Sequence, residues 1–448
     1  MDERNPSLAA NRIQVLWVGA LGLSFVLSIS AAIRGGYVGP DYNTHLSRLF
    51  EWSKVFDFSA TSPPTYYLLG HGLFRVIGPS NAFPVTLSII GAGVNLVALW
   101  WFFVYSQRRF ASRLIHLGFI FFLTFLPVRI IHAVTIGTDC TTIPLFVLVL
   151  FFFDKFLSDK TSTPQNAALV GSALGLAVFT KYSFMALLPA ILIIFICMSR
   201  TRGWKPRHFL TISVLALALS STIALYSFWA SARVHGYNTE KHWLQKGMPP
   251  DMNFRDLLTV KANDVQLFRA PEYFKREILA PHKHSYLALS HMGVFTDPMN
   301  LFQDLSVPQE FDSLLIPDQK TRRPWKAPVM QASMLLGTVW TVLALVGTPW
   351  TLFRSIRNLA LDKLEREDVA AILGTAYFLL LFLPIPFVHA GALFGYWTPR
   401  LILPALLYFF WAAFLLIDRK IAPKGEKAAL CVVLLVAIQC ATETVMLI

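Results

Sequence analysis

The sequence predicts an all-α polytopic membrane protein of about eleven transmembrane helices, and three observations predict it. Hydrophobic residues make up 55% of the 448-residue chain and charged residues only 15%, far from the balance of a soluble domain. The apolar residues arrive in blocks of about twenty, enough to cross a hydrocarbon core of roughly 30 Å as helix. Barrel strands would instead alternate apolar and polar residues, so the same blocks exclude a transmembrane barrel.

The spans fall near 14–33, 84–106, 112–130, 141–157, 167–180, 183–199, 209–231, 328–352, 368–388, 397–417 and 427–447. Segments 167–180 and 183–199 are short and adjoin. Read as one broken helix, they would invert the side of everything downstream. With a cytoplasmic N-terminus and two spans there, about half of the 39 Lys and Arg fall in six short inside segments. These carry Arg4 and Arg12; Arg108, Arg109 and Arg113; Lys155 and Lys160; Arg200, Arg202, Lys205 and Arg207; Arg354, Arg357, Lys363 and Arg366; and Arg419, Lys420, Lys424 and Lys427. The short outside loops carry Arg129, Lys181 and Arg400. This is the positive-inside pattern, and it supports two spans.

The net charge of +13 is thereby a topology signal, and no nucleic-acid partner is expected. The first apolar stretch lacks a small-residue cleavage pattern and is expected to remain as the first span. Cys140, Cys197, Cys431 and Cys440 lie in or beside spans without ligand-like spacing, which argues against a disulfide framework or a zinc–thiolate site.

Three regions follow: a transmembrane module over 1–231 that includes a first outer loop at 34–83, a larger outer loop at 232–327, and C-terminal transmembrane helices over 328–448. The inside loops are too short to hold a catalytic domain, so any chemistry belongs on the non-cytoplasmic side. In the first outer loop a Gly39-Pro40 turn precedes Asp41. At helical spacing Leu46, Leu49, Phe50, Phe56 and Asp57 share one mostly apolar side, and Asp41, His45, Arg48 and Trp52 share another. Such a helix would lie flat at the membrane surface. Pro63-Pro64 is expected to force an extended corner before Tyr66-Tyr67, with a second short surface helix over 71–78.

Asp41 is the first catalytic candidate, a carboxylate placed to act as general base on an acceptor hydroxyl or amine. It is equally suited to cap the helix that follows, and the two roles can coexist. Asp139, in the short outer loop between the third and fourth spans, is the second. It either caps the fourth span or faces a cavity, as ionisable groups at membrane depth usually do. Arg129, Lys181 and Arg400 each end a span on the outer side. Each either snorkels to lipid headgroups or helps to hold a phosphate at that depth, with Arg75 as a fourth cation. His282, His284 and His291 have the donor set for a divalent metal, with Asp297 as a further ligand, or serve as surface and substrate contacts.

These residues resemble the GT-C superfamily of membrane glycosyltransferases, and within it the protein O-mannosyltransferase and lipid A aminoarabinose transferase branch. Gly39-Pro40-Asp41-Tyr42 with His45, followed by Ser62-Pro63-Pro64-Thr65-Tyr66-Tyr67-Leu68, looks like that branch's first outer loop. Asp139 before an apolar run looks like its second acidic position. Gly175-Leu176-Ala177-Val178-Phe179-Thr180-Lys181-Tyr182 is similar to its Thr-Lys turn, and Tyr396-Trp397-Thr398-Pro399-Arg400 with Pro404 to its late aromatic–Arg element. The likeness covers the chain to about residue 417 apart from 232–327. Tyr42 stands where many relatives carry a second acidic residue. The base role therefore rests on Asp41, with Glu51 and Asp57 as fallbacks, and metal dependence of the oligosaccharyltransferase kind is disfavoured.

The resemblance implies a GT-C-like fold and a sugar donor on a polyprenyl phosphate, entering sideways from the membrane. The phosphate would rest on Lys181, Arg400 and Arg129. Asp41 would deprotonate a lipid, glycan or protein acceptor, with His45, Tyr66, Tyr67, His291 and Tyr396 as acceptor or accessory contacts, and Asp139 would orient the acceptor or the cations. A multi-pass protein of a bacterial plasma membrane, working on its outer face among membrane lipids, is the expected setting. Two alternatives stay open. A flippase or transporter of lipid-linked sugars would need charges near the bilayer midplane. A polysaccharide polymerase or ligase would use a pyrophosphate-linked oligosaccharide.

Overall fold

The computed structural model describes residues 6–34, 42–57, 63–159, 161–235, 259, 285–296, 326–382 and 402–447. Every regular element among them is helical. In chain order they are α1 (Pro6–Ile33), the short α2 (Tyr42–Phe50), α3 (Trp52–Val55) and α4 (Thr65–Ile77), then α5 (Ala82–Gln107). Next come α6 (Arg113–Phe125), α7 (Pro127–Val134), α8 (Thr142–Ser158), α9 (Pro164–Thr180), α10 (Leu187–Thr201) and α11 (Pro206–His235). The remainder are α12 (Tyr286–Phe295), α13 (Lys326–Ala360), α14 (Arg366–Phe382), α15 (Leu403–Ile421) and α16 (Glu426–Leu447).

Among the described residues, seven stretches are long and apolar enough to cross a membrane, or eight if the bent pair α6–α7 is one span. They include Gln14–Ile33, Ala82–Gln107, Thr138–Ser158, Tyr182–Thr201, Pro206–Ala230, Pro328–Ala360 and Glu426–Leu447. The expected spans at 167–180, 368–388 and 397–417 correspond to α9, α14 and α15, of 17, 17 and 19 residues. Residues 383–401 lie outside the described chain.

Side-chain contacts decide whether α9 and α10 are one broken helix. Arg202, just beyond α10, donates to the carbonyls of Asp159 (3.2 Å) and Leu157 (3.1 Å) and to Ser162 Oγ (3.0 Å), just before α9. The chain therefore leaves along α9 and returns along α10 to its starting level. They are two antiparallel segments, with Lys181 at the far turn.

The same basic end gathers the other inside segments. Arg109 pairs with Glu365 at 2.8 Å and with Glu367, Arg354 with Glu367 at 2.9 Å, Arg366 with Asp154 at 3.1 Å, and Arg202 with Asp362 at 2.9 Å. Asp418 accepts the N–H groups of Ala111 (2.7 Å) and Ser112 (2.9 Å). The cations of this basic end are thus more than topology markers, because they tie helix ends together. This also explains why α13 runs past the expected span 328–352 to Ala360. Its last turns are held by Ser355 Oγ and Asn358 Nδ2 on the Asp368 carboxylate, at 2.7 and 2.8 Å.

Between the two ends one apolar core runs from Trp17 in α1 to Met446 in α16. Leu210, Val214, Leu225 and Phe228 of α11 point outward, as a lipid-facing helix requires. Its inner face meets α9 along Gly171 and Gly175, a small-residue seam that lets backbones approach closely.

The first outer loop departs from expectation in two places. Pro64 adopts helical angles (φ −77°, ψ −21°) and α4 starts at Thr65, so of the expected corner Pro64 is not extended, and Tyr66 and Tyr67 are helical. A proline at a helix start lacks only an N–H that would be unpaired there, and its φ suits the helix. Glu51 is extended between α2 and α3, which separates Trp52 from the arc of His45 and Arg48.

Candidate functional site

At the end opposite the basic one, three turns meet. Gly137 (φ +152°) reverses the chain after α7, and a 3₁₀ turn over Thr138–Thr141 leads into α8. Thr141, not Asp139, occupies the α8 N-cap. The Asp139 carboxylate instead pairs with the ammonium of Lys181. Lys181 terminates α9 in extended conformation (φ −152°, ψ 119°) and also donates to Thr142 Oγ1 at 3.3 Å. The two side chains keep 9% and 16% of their exposure, so the pair is largely desolvated and tightly held. An ammonium has three donors, and these contacts engage two, so the third can meet an anionic oxygen.

The first outer loop lies against this pair. Tyr66 OH accepts the Gly137 N–H at 3.1 Å, and burial pushes its phenol well above the ordinary tyrosine value. His45 Nδ1 lies 2.6 Å from Tyr67 OH, while its Nε2 would be 2.9 Å from any Cβ placed on Gly137. Thr65 Oγ1 donates to the carbonyl of Phe179, two residues before Lys181, at 2.7 Å. Arg48 is buried; it donates to the carbonyls of Lys54 (3.2 Å), Val55 (3.4 Å) and Asp57 (3.1 Å) and covers the Tyr67 ring at 3.8 Å. Its guanidinium organises the loop from within.

His45, Tyr66, Tyr67, Asp139 and Lys181 are thus drawn together. Arg129 goes elsewhere. Its guanidinium donates to Ser24 Oγ at 2.6 Å and to the Thr124 carbonyl. Ser24 lies nine residues below the outer end of α1, about 13 Å deep at 1.5 Å per residue. The expectation of a headgroup-depth cation does not fit this placement. The break at Leu126-Pro127 leaves α6 without its next donors, and Arg129 covers the freed carbonyl end. Arg75 is exposed in the last turn of α4. Of the fallback acids, Glu51 is exposed and bridges Lys54 at 2.7 Å, and Asp57 is exposed.

Asp41, Arg400, Tyr396, His282, His284 and Asp297 lie outside the described residues. Among the described residues no group of three or more His, Cys, Asp or Glu side chains could hold a metal ion. His291 is engaged by α13, with Nδ1 2.9 Å from Thr341 Oγ1 and Nε2 3.3 Å from the Met334 carbonyl. Burial lowers its pKa to about 4, so the ring is neutral at pH 7. A folded pKa depressed below the ordinary 6.5 contributes stability that is complete above 6.5 and lost as pH falls toward 4. Thermal melts should therefore fall over that window, and His291→Gln should flatten the fall; an unchanged pH profile would assign it to other groups.

Sequence reasoning missed Gly137, Thr142, Ser183 and Tyr377, and it gave Thr65 only as part of the first-loop motif, with no role. Of these, Gly137 alone carried a signal, as a glycine two residues before a candidate acid.

No protein-family model and no curated protein sequence matches the chain. Solved structures do resemble it. The Archaeoglobus fulgidus oligosaccharyltransferase in the apo form aligns at TM-score 0.49 and 11% identity, covering 96% of this chain and 55% of that one. ArnT from Cupriavidus metallidurans bound to undecaprenyl phosphate gives 0.38 and 17%, covering 91% and 78%. The S. cerevisiae protein O-mannosyltransferase Pmt1-Pmt2 complex bound to the sugar donor gives 0.34 and 12%, covering 50% and 34%. The chain spans about half the length of the oligosaccharyltransferase, and at these scores the superpositions are loose.

Proposed function

We propose that this protein is a membrane glycosyltransferase that moves a sugar from a polyprenyl-phosphate donor to an acceptor on the non-cytoplasmic side. The observation that carries the reading is Lys181, held by Asp139 and Thr142 at the turn between two antiparallel segments, beside the first outer loop. A fixed ammonium at the mouth of the helices suits a phosphate on a lipid stem better than a freely soluble donor. It would stabilise the charge that develops on the departing polyprenyl phosphate, a leaving group that needs little protonation.

The general base is assigned to Asp41, directly before α2, whose His45 reaches Tyr67. It would take the acceptor proton while the acceptor oxygen or nitrogen attacks the anomeric carbon from the opposite face. Arg400 would complete the phosphate seat with Lys181. Acceptor choice, whether lipid, glycan or protein, belongs to the 232–327 loop. The setting is a bacterial plasma membrane with the site on its outer face.

Comparing glycans and glycolipids of a deletion strain by mass spectrometry should reveal a missing sugar and so name donor and acceptor. In proteoliposomes carrying that donor, the wild type should release polyprenyl phosphate and label the acceptor. Asp41→Asn should abolish transfer while donor binding persists, and substantial residual transfer would remove the base role. Movement of intact donor across the bilayer without cleavage would favour transport.

A further inference from the structure

One buried hydroxyl from the C-terminal helices reaches the Lys181 turn. Tyr377 of α14 is fully buried, and its OH lies 2.7 Å from Ser183 Oγ. Ser183 belongs to the 3₁₀ turn Tyr182–Ala186 that begins immediately after Lys181. The Tyr377 ring packs on Phe184 of that turn, with centroids 5.5 Å apart, and on Phe146 of α8 at 6.1 Å. Phe146 is one helical turn beyond Thr142, the hydroxyl that Lys181 also contacts. Tyr377 is therefore wedged between the two elements that bring Lys181 and Asp139 together. A 3₁₀ turn has weaker hydrogen bonds than an α-helix and yields more readily, so an outside anchor matters there.

We propose that Tyr377 is a positioning residue whose hydroxyl, through Ser183, sets the placement of Lys181 against Asp139. Its consequence for catalysis rests on the proposed donor role of Lys181; the placement itself does not.

Tyr377→Phe keeps the ring and removes only the anchor, so the helix packing should survive. In the transfer assay, donor KM should rise about tenfold and kcat should fall as well, because a misplaced cation weakens both donor binding and stabilisation of the departing phosphate. Ser183→Ala should match it, Ser183→Thr should retain wild-type KM, and the double variant should be no worse than either single. A purely structural role would lower thermal stability and leave both constants of the protein that remains folded unchanged.

A ligand-free measurement separates the inference from the functional reading. Asp139→Asn should lower the melting temperature markedly in the wild-type background and less than half as much beside Tyr377→Phe, because the loosened Lys181 can already find other solvation. Additive losses, or a Tyr377→Phe variant with wild-type KM, would overturn the proposal. If the wild type transfers no sugar from a polyprenyl phosphate, the functional reading fails and the melts still decide the placement.

Discussion

Removing either member of the Asp139–Lys181 pair should destabilise the protein by about 3 kcal/mol, the lower end for breaking a buried ion pair. The lower end applies because Asp139 keeps 16% of its exposure and can draw in some water. The penalty comes from the charge left behind. After Asp139→Asn the ammonium beside Thr142 loses the carboxylate it pairs with, and after Lys181→Met the carboxylate loses that ammonium. The double variant Asp139→Asn/Lys181→Met should regain most of the loss, since replacing both charges by neutral groups is often nearly neutral. Transfer should behave differently. It should fall by at least about a hundredfold in every variant lacking Lys181, restored stability included, because the lost charge stabilised the leaving phosphate. Melts in detergent and the proteoliposome assay check the two halves separately. A stable double variant that still transfers sugar would dismiss Lys181 as the phosphate seat.

Helix positions were legible because hydrocarbon imposes a length rule, and most described helices lie within a few residues of the expected spans. The reversal between α9 and α10 was legible as well, although through charge and not hydropathy: Lys160 and Arg202 flank the pair on one side and Lys181 sits between them. Arg202 then makes the contacts that close that end. Side-chain direction was not legible. Arg129 and Lys181 look equivalent in sequence, each a lone cation at an outer span end. The break at Leu126-Pro127 redirects one into the helix layer, whereas the α9 terminus delivers the other to Asp139. The Ser183–Tyr377 contact joins residues 194 apart, and no local pattern marks either partner. Gly137 was overlooked because a glycine between spans reads as a generic turn. Its demand is specific, since φ is +152° and His45 fills the space of a Cβ.

The seam between α9 and α11 sets the second large effect. A Cβ on Gly171 would fall 2.0 Å from the Leu215 carbonyl oxygen and 3.1 Å from Ala216 Cα. Both are backbone atoms, so no rotamer change can make room and the helices would have to part. Gly175 differs, because its obstruction is the flexible Leu219 side chain, with Cδ2 at 2.5 Å. Gly171→Ala should therefore cost about 3 kcal/mol or more, at or beyond the usual range for overpacking, despite replacing glycine with a better helix former. Gly22→Ala in α1 is the control. No atom lies within 4 Å of its added Cβ, and the change should stabilise by about 0.5–1 kcal/mol. Because α9 ends on Lys181, the parted seam should also reduce transfer in protein that remains folded. Melts of the two variants side by side check the packing: equal stability would mean that α9 and α11 do not meet at Gly171.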